Sequence, residues 1–269
     1  MKAAAFDYHR ADSAAQAVQL LGAAGGMAKV CGGSQSLGPM LNLRLAQTEA
    51  LVDVSRIEDL KAFTLQPDAL RVGAAVTHAR IEDGELPDVT LGLLSHVASG
   101  IAYRAVRNRG TLGGSLAHAD PAADWVTTMS LLDAGIVIVG VDGERTVPAH
   151  AFFLGPFTTA LQDDDVIVAV EVPRFGAGAR WAYRKLCRKP GEFADAIAAG
   201  WIDPARGIAR VALGALDGMP HVVTGDAAVQ ALGQPAAVQQ LLDNAGIDDE
   251  DARDLHAVLL GRMLKDLAP

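Results

Sequence analysis

The chain has 269 residues, of which 50% are hydrophobic and 20% are charged, and its formal net charge is −9. This composition is typical of a globular protein rather than a disordered one. The negative charge would repel a phosphodiester backbone, which argues against nucleic acid as a partner. The start of the chain lacks the apolar stretch of a secretory signal, and the longest apolar runs are strand-sized. We therefore expect a cytoplasmic protein without a transmembrane segment.

Cysteine and histidine usage limits the metal chemistry that this chain can supply. Cys31 and Cys187 are the only cysteines, so they can form neither a disulfide framework nor a cluster site with four thiolates. The seven histidines are scattered without metal-ligand spacing, and no metal site is predicted. Any iron–sulfur cluster would have to be held by a partner.

The first region, residues 1–55, is predicted to be a small α/β unit. Asp12 or Ser13 can cap a helix over residues 14–26, and strands are expected at residues 27–31 and 50–54. The crossover between these two strands favours parallel pairing.

The remaining chain predicts an α+β organisation. In a second region, residues 56–162, we expect strands at 69–73 and 135–141 and a helix at 91–105. A third region, residues 163–269, is expected to hold four strands and then helices. Its strands are predicted at 166–172, 180–188, 194–202 and 208–216, the last two joined by a hairpin turn at 203–207, and its helices at 227–232, 236–245 and 251–267.

Two Gly-Gly-Ser turns are the strongest local signals. The first follows a predicted strand as Gly32, Gly33 and Ser34, and the second is Gly113, Gly114 and Ser115. Glycines let backbone N–H groups approach an anion, so two such turns could hold the two phosphates of a dinucleotide. Each could equally be a tight turn and no more. Neither matches the spaced glycines of a Rossmann fingerprint or a P-loop.

A family resemblance gives these turns a context. Residues 30–46, VCGGSQSLGPMLNLRLA, and 106–124, VRNRGTLGGSLAHADPAAD, resemble the FAD-binding medium subunit of the xanthine dehydrogenase and aerobic carbon monoxide dehydrogenase family. Residues 153–161, 163–173 and 183–200 fit the same family in the same order. The resemblance implies a FAD-binding domain of two α/β subdomains (PCMH-type), followed by a C-terminal antiparallel sheet with helices.

The resemblance also implies a set of cofactor contacts. Asp124 would accept a hydrogen bond from FAD, and Lys185 would lie near the isoalloxazine ring; alone, they read as a helix-start carboxylate and a solvent-facing strand lysine. Arg107 and Arg109 are given only a supporting role. The implied FAD-binding residues are Lys29, Val30, Cys31, Gly32, Gly33, Ser34, Gln35, Ser36, Ile101, Thr111, Gly113, Gly114, Ser115, Asp124, Val168 and Lys185.

Two residues depart from the family pattern beside the turns. Cys31 stands where alanine is common, and Trp125 stands where a smaller or acidic residue is usual. Neither change removes a glycine or a donor on which binding would depend.

The function implied is that of a flavin subunit. A large partner would carry molybdopterin and a small one [2Fe–2S] clusters, in a dimer of heterotrimers, with this chain passing electrons through FAD to an acceptor. A stand-alone flavin oxidoreductase and a non-catalytic assembly subunit remain alternatives. The sequence fixes neither the substrate nor the acceptor.

Overall fold

The structure is a computed structural model that describes residues 2–231 and 234–268. Over those residues the strands form four sheets, with helices between many of the strands. Within the same residues, no helix combines the length and the apolar character that crossing a membrane requires.

The first region is a parallel sheet with a helix packed on it. Its elements are β1 (Asp7–Arg10), α1 (Ala14–Ala23), β2 (Ala28–Cys31), α2 (Leu37–Asn42) and β3 (Ala50–Asp53). The Ser13 hydroxyl caps α1 by accepting from the Gln16 amide at 3.1 Å. β2 pairs parallel with β3, as predicted. On the other side of β3 lies β1, which the sequence did not predict because its residues are polar and exposed.

The second region is an antiparallel sheet with helices, and it supplies most of the residues of the largest apolar cluster. Its elements are β4 (Phe63–Leu65), β5 (Ala69–Gly73), α3 (His78–Glu82), α4 (Leu93–Ser99), α5 (Arg104–Arg107), α6 (Leu112–His118), α7 (Asp124–Leu132), β6 (Gly135–Gly140), β7 (Gly143–Pro148), α8 (Ala149–Phe152), β8 (Phe153–Gly155), β9 (Thr158–Thr159) and β10 (Val166–Pro173). The sheet order is β4-β5-β10-β6-β7. The pairing of β10 with β5 and β6 places this strand in the second sheet. It therefore favours a boundary of the second region after Pro173 rather than after residue 162. The three-part division itself stays a prediction.

The prediction of one helix over residues 91–105 is wrong at residues 100–103. The structure has two short helices, α4 and α5, separated by residues 100–103. Ala102 there has a φ of 44°, and its carbonyl accepts from Arg107 Nη1 at 2.9 Å instead of from a helical amide. A Cβ on Gly191 would lie 2.7 Å from the same carbonyl oxygen. A tertiary contact has therefore overridden a local helical preference.

The third region is an antiparallel sheet that packs against the second region on one face and against its own helices on the other. Its elements are β11 (Arg180–Leu186), β12 (Ala196–Asp203), β13 (Ile208–Gly214), β14 (His221–Thr224), α9 (Asp226–Ala231), α10 (Pro235–Asn244) and α11 (Glu250–Leu267). Side chains of β12 alternate: Ile197 and Trp201 join the core shared with the second region, whereas Ala198 faces α11. This confirms the predicted strands and helices, except that the predicted end at Leu232 lies outside the described residues.

Packing of the regions brings distant loops together. Val52 of β3 and Val168 of β10 belong to one apolar cluster, which joins the first region to the second. Trp125 of α7 and Trp201 of β12 belong to another, which joins the second region to the third. The loops after β2 and before α6 lie near the start of α7 as a result.

Candidate cofactor-binding site

The structure brings the two glycine turns into direct contact. A Cβ on Gly33 would lie 1.9 Å from the Arg109 carbonyl oxygen and 2.9 Å from the Gly110 Cα. One on Gly32 would lie 3.4 Å from the Thr111 Oγ1. No side chain fits at position 33, so glycine is required there for the approach of one backbone to the other.

The first turn exposes a run of unused backbone donors. Among the described residues, the amides of residues 32–36 donate to no other group of the chain. The turn is half-buried, and Ser34 is held in the left-handed region at a φ of 55°. Gln35 Nε2 braces the turn by donating to the Gly33 carbonyl at 3.0 Å. Adjacent free amides in such a concave turn form an anion-binding arrangement.

Residues at the start of the first turn point in different directions. Lys29 is exposed on β2 and Val30 is half-buried. Cys31 is buried in a small cluster with Leu41 and Leu51. Burial raises the pKa of the Cys31 thiol to about 11, with a contribution from the charge of Asp53. The thiol is therefore protonated at neutral pH and packs as a small apolar side chain.

The second turn uses its donors inside the protein. Thr111 caps α6, its hydroxyl accepting from the Gly114 amide at 3.1 Å and its carbonyl from the Ser115 amide at 3.0 Å. The Leu112 and Gly113 amides donate to Val76 and Ala74 carbonyls, at 3.0 and 2.9 Å. The amides of residues 112–115 therefore have acceptors within the protein. The predicted contacts of Thr111, Gly113, Gly114 and Ser115 with the cofactor stay predictions.

Asp124 and Lys185 are brought together as a buried pair. Lys185 Nζ lies 2.8 Å from Asp124 Oδ2, and their side chains are 11% and 5% exposed. The Tyr183 hydroxyl donates to the other carboxylate oxygen, Oδ1, at 2.7 Å. Burial raises the pKa of Tyr183 well above its usual value, and the Asp124 charge adds to the effect. Both carboxylate oxygens already accept from the protein, so the predicted hydrogen bond from the cofactor to Asp124 stays a prediction.

Ile101 lies beside this pair. Lys185 Nζ also donates to the Gly100 carbonyl at 3.4 Å. Arg107 Nη1 donates to the Ile101 carbonyl at 2.9 Å, and Arg107 is paired with Glu82 at 2.7 Å. Arg107 therefore shapes the loop that carries Ile101, whereas Arg109 is exposed. Arg107 is ion-paired, and its supporting role toward the cofactor stays a prediction.

Val168 is set back from the turns. Its side chain is buried in the cluster that joins the first two regions, and its carbonyl accepts from the Ala74 amide at 3.0 Å. Ala74 in turn contacts Gly113, where an added Cβ would come within 2.5 Å of the Ala74 Cβ. Val168 thus supports the second turn through the backbone, and its contact with the cofactor stays a prediction.

Sequence reasoning missed Tyr183 and His78. Tyr183 could have been found, because it lies two residues before Lys185 on a strand and so faces the same side. His78 accepts at Nδ1 from the Trp125 indole N–H at 3.0 Å and lies beneath Gly110. No local pattern marks His78, because its partners are far away in the sequence.

Comparison with known proteins assigns a family. Residues 4–175 match the family described as the FAD binding domain in molybdopterin dehydrogenase. Over 191 residues the chain is 41% identical to the carbon monoxide dehydrogenase medium chain of Hydrogenophaga pseudoflava, covering 71% of this chain and 67% of that one. It is 36% identical to the 6-hydroxypseudooxynicotine dehydrogenase complex subunit alpha of Paenarthrobacter nicotinovorans, covering 72% and 66%.

The structural match extends over the whole fold. A chain of carbon monoxide dehydrogenase from Hydrogenophaga pseudoflava, in a form that lacks the Mo-pyranopterin moiety of the molybdenum cofactor, superposes with a TM-score of 0.88 at 35% identity. The match covers 99% of this chain and 98% of that one. The predicted α+β architecture with a C-terminal antiparallel sheet is thereby confirmed. The chain belongs to the family of FAD-binding subunits of the molybdopterin-dependent oxidoreductases.

Proposed function

We propose that this chain passes electrons through its FAD, from [2Fe–2S] clusters on a small partner subunit to an external acceptor. A large partner subunit would carry the molybdopterin at which the substrate is hydroxylated. The likeness to relatives called a medium chain and a complex subunit supports an assembly of this kind. With only two cysteines, this chain cannot itself hold a four-thiolate cluster. A dimer of heterotrimers is part of the proposal.

The observation that carries the proposal is the run of free amides at residues 32–36. Several hydrogen-bond donors are needed to hold a diphosphate. The five adjacent amides of this half-buried turn supply them. Gly33 seats this turn on the second turn, which fixes the direction in which its amides point. The residues present therefore fit the diphosphate of FAD.

The buried pair gives the chain a way to influence the bound ring. FAD, when bound, supplies chemistry that accepts electrons singly and releases them in pairs. Lys185 is held by Asp124 beside Gly100 and can stabilise negative charge on a neighbouring ring. Tyr183 donates to the other oxygen of Asp124, so the carboxylate that holds Lys185 is itself held in place. The arrangement requires no general base.

Two measurements test the proposal. The full chain, purified and incubated with FAD, should retain about one FAD per chain and show flavin absorbance. Native mass spectrometry of the complex from its own cells should show a large and a small partner. A chain that never retains FAD would instead favour a non-catalytic assembly subunit. A flavin-loaded chain that oxidises a substrate without partners would favour a stand-alone oxidoreductase.

A further inference from the structure

We propose that His78 and Trp125 are positioning residues for the cofactor: the indole fixes the imidazole, and the imidazole fixes the second glycine turn against the first. The proposal rests on the proposed function, because FAD is the ligand that the two turns would hold. Neither residue belongs to the cofactor contacts that the family resemblance implies.

His78 begins α3 at the end of a short ladder with the second turn. Residues 74–78 run antiparallel to residues 110–113, with an isolated bridge between Thr77 and Thr111. The His78 amide donates to the Gly110 carbonyl at 2.9 Å. The other ladder bonds run from the Leu112 amide to Val76 and from the Gly113 amide to Ala74. The backbone of His78 is therefore fixed relative to the second turn.

The imidazole and the first turn enclose Gly110 from two sides. A Cβ on Gly110 would lie 2.9 Å from both the Cδ2 and the Nε2 of His78. The Gly110 Cα is itself 2.9 Å from the position of a Gly33 Cβ. A change in the angle of the ring would press on Gly110 and move it against Gly33. The orientation of His78 thus sets the separation of the two turns.

Trp125 determines that orientation. Its side chain is fully buried, and its indole N–H donates to His78 Nδ1 at 3.0 Å. A ring nitrogen that accepts carries no proton, so the neutral imidazole has its proton on Nε2. A flipped ring would leave the buried indole donor without an acceptor, which is unfavourable. Trp125 follows Asp124 on α7, so the pair also links the turns to the helix that carries the buried carboxylate.

Burial keeps the imidazole in its neutral form. Together with a smaller contribution from the charge of Arg107, burial lowers the pKa of His78 to about 4. A positive ring could not accept from the indole at Nδ1, because both ring nitrogens would then be donors. At neutral pH the hydrogen bond therefore persists.

The test uses Trp125→Phe with Trp201→Phe as its matched control. Both tryptophans are buried, at 0% and 1% exposure, so both changes remove a similar volume from the core. Among the described residues, the Trp201 indole N–H has no acceptor, so only Trp125→Phe removes a hydrogen bond. In FAD titrations of the full chain, Trp125→Phe should raise the Kd about tenfold. Trp201→Phe should leave it within about twofold.

A double-mutant cycle and a spectroscopic measurement complete the test. If the two residues act as a unit, Trp125→Phe combined with His78→Ala should bind FAD about as weakly as His78→Ala alone. Nitrogen-15 spectra of the wild type should show His78 with Nε2 protonated, and Trp125→Phe should mix the two tautomers.

Three results would overturn the positioning role: an unchanged Kd in Trp125→Phe, an equal loss in Trp201→Phe, or strictly additive losses in the cycle. A wild-type chain that binds no FAD would overturn the proposed function as well. A wild type that binds FAD, with an unaffected Trp125→Phe variant, would overturn only the inference about the pair.

Discussion

The two glycine turns share the sequence Gly-Gly-Ser but differ in what their backbones do. Within the part of the chain that the structure describes, the amides of residues 32–36 have no acceptor, whereas the amides of residues 112–115 donate to Val76, Ala74 and Thr111. The first turn can therefore receive an anion, and the second turn is a scaffold that supports it. The difference arises because the second turn pairs with residues 74–78 through backbone hydrogen bonds, whereas the first turn packs against residues 109 and 110 without donating to them.

The comparison predicts different results for the same kind of substitution in each turn. Changes in the first turn should act on cofactor affinity. Changes around the second turn should act first on the stability of the chain. We take four tests in order of expected effect.

Gly33→Ala should have the largest effect on FAD binding. The new Cβ would lie 1.9 Å from the Arg109 carbonyl oxygen, so the two turns must separate. We expect affinity for FAD to fall by a factor of about 1,000, equivalent to about 4 kcal/mol. Gly22→Ala is the control, because among the described residues no atom outside its own stretch of helix lies within 4 Å of its new Cβ. Flavin fluorescence titration checks both variants, and equal affinities would refute the close-contact role of Gly33.

Lys185→Met tests whether the helix after the second turn is held by internal charge pairing. It leaves the Asp124 carboxylate, 5% exposed, without its cation, and we expect unfolding free energy to fall by about 3 kcal/mol. Adding Asp124→Asn should recover most of that loss, because no charge is then left unpaired. Urea unfolding of the three variants measures this. In the flavin-loaded chain, Lys185→Met should also shift the reduction potential of the flavin. An unchanged potential would show that Lys185 does not act on the ring.

Acid should weaken the support beneath the second turn. The pKa of His78 falls from 6.5 to about 4 on folding, so the unfolded chain binds the proton more readily. The contribution of His78 to the unfolding free energy is complete above pH 6.5 and is lost as pH falls toward 4, by about 3 kcal/mol. His78→Asn keeps an acceptor for Trp125 but cannot titrate. The difference between the two unfolding curves should grow below pH 6.5, and parallel curves would count against a neutral buried His78.

Gly113→Ala should have the smallest effect and a different character from Gly33→Ala. Its Cβ would lie 2.5 Å from the Ala74 Cβ, inside the protein rather than on the cofactor side. We expect a loss of about 2 kcal/mol in unfolding free energy from overpacking. The FAD affinity of the folded fraction should change less than tenfold. A larger loss of affinity than in Gly33→Ala would reverse the roles given to the two turns.

Much of the fold follows from local patterns. The alternating run that becomes β10 and the apolar run of β5 were predicted within one residue of their ends, because strand periodicity is a property of neighbouring residues. The break between α4 and α5 was not predicted. It depends on Gly191 and Arg107 meeting the carbonyl of Ala102, and a local pattern cannot contain such contacts.

The candidate site divides in the same way. Gly33 could be named from its turn and Asp124 and Lys185 from the family resemblance, and the structure shows the last two as a pair. His78 could not be named, because its role comes from a partner that is distant in the sequence, Trp125. Tyr183 was missed, although its spacing from Lys185 on β11 indicates that the two side chains face the same side.

The sequence by itself determined the glycine turns, eight of the strands and the family. Tertiary structure alone decided which turn keeps its amides free and which residues brace the other. The physical reason is that a backbone donor is available or used according to what packs beside it, and for residues 112 and 113 the partners that pack there are 36 and 39 positions earlier in the chain.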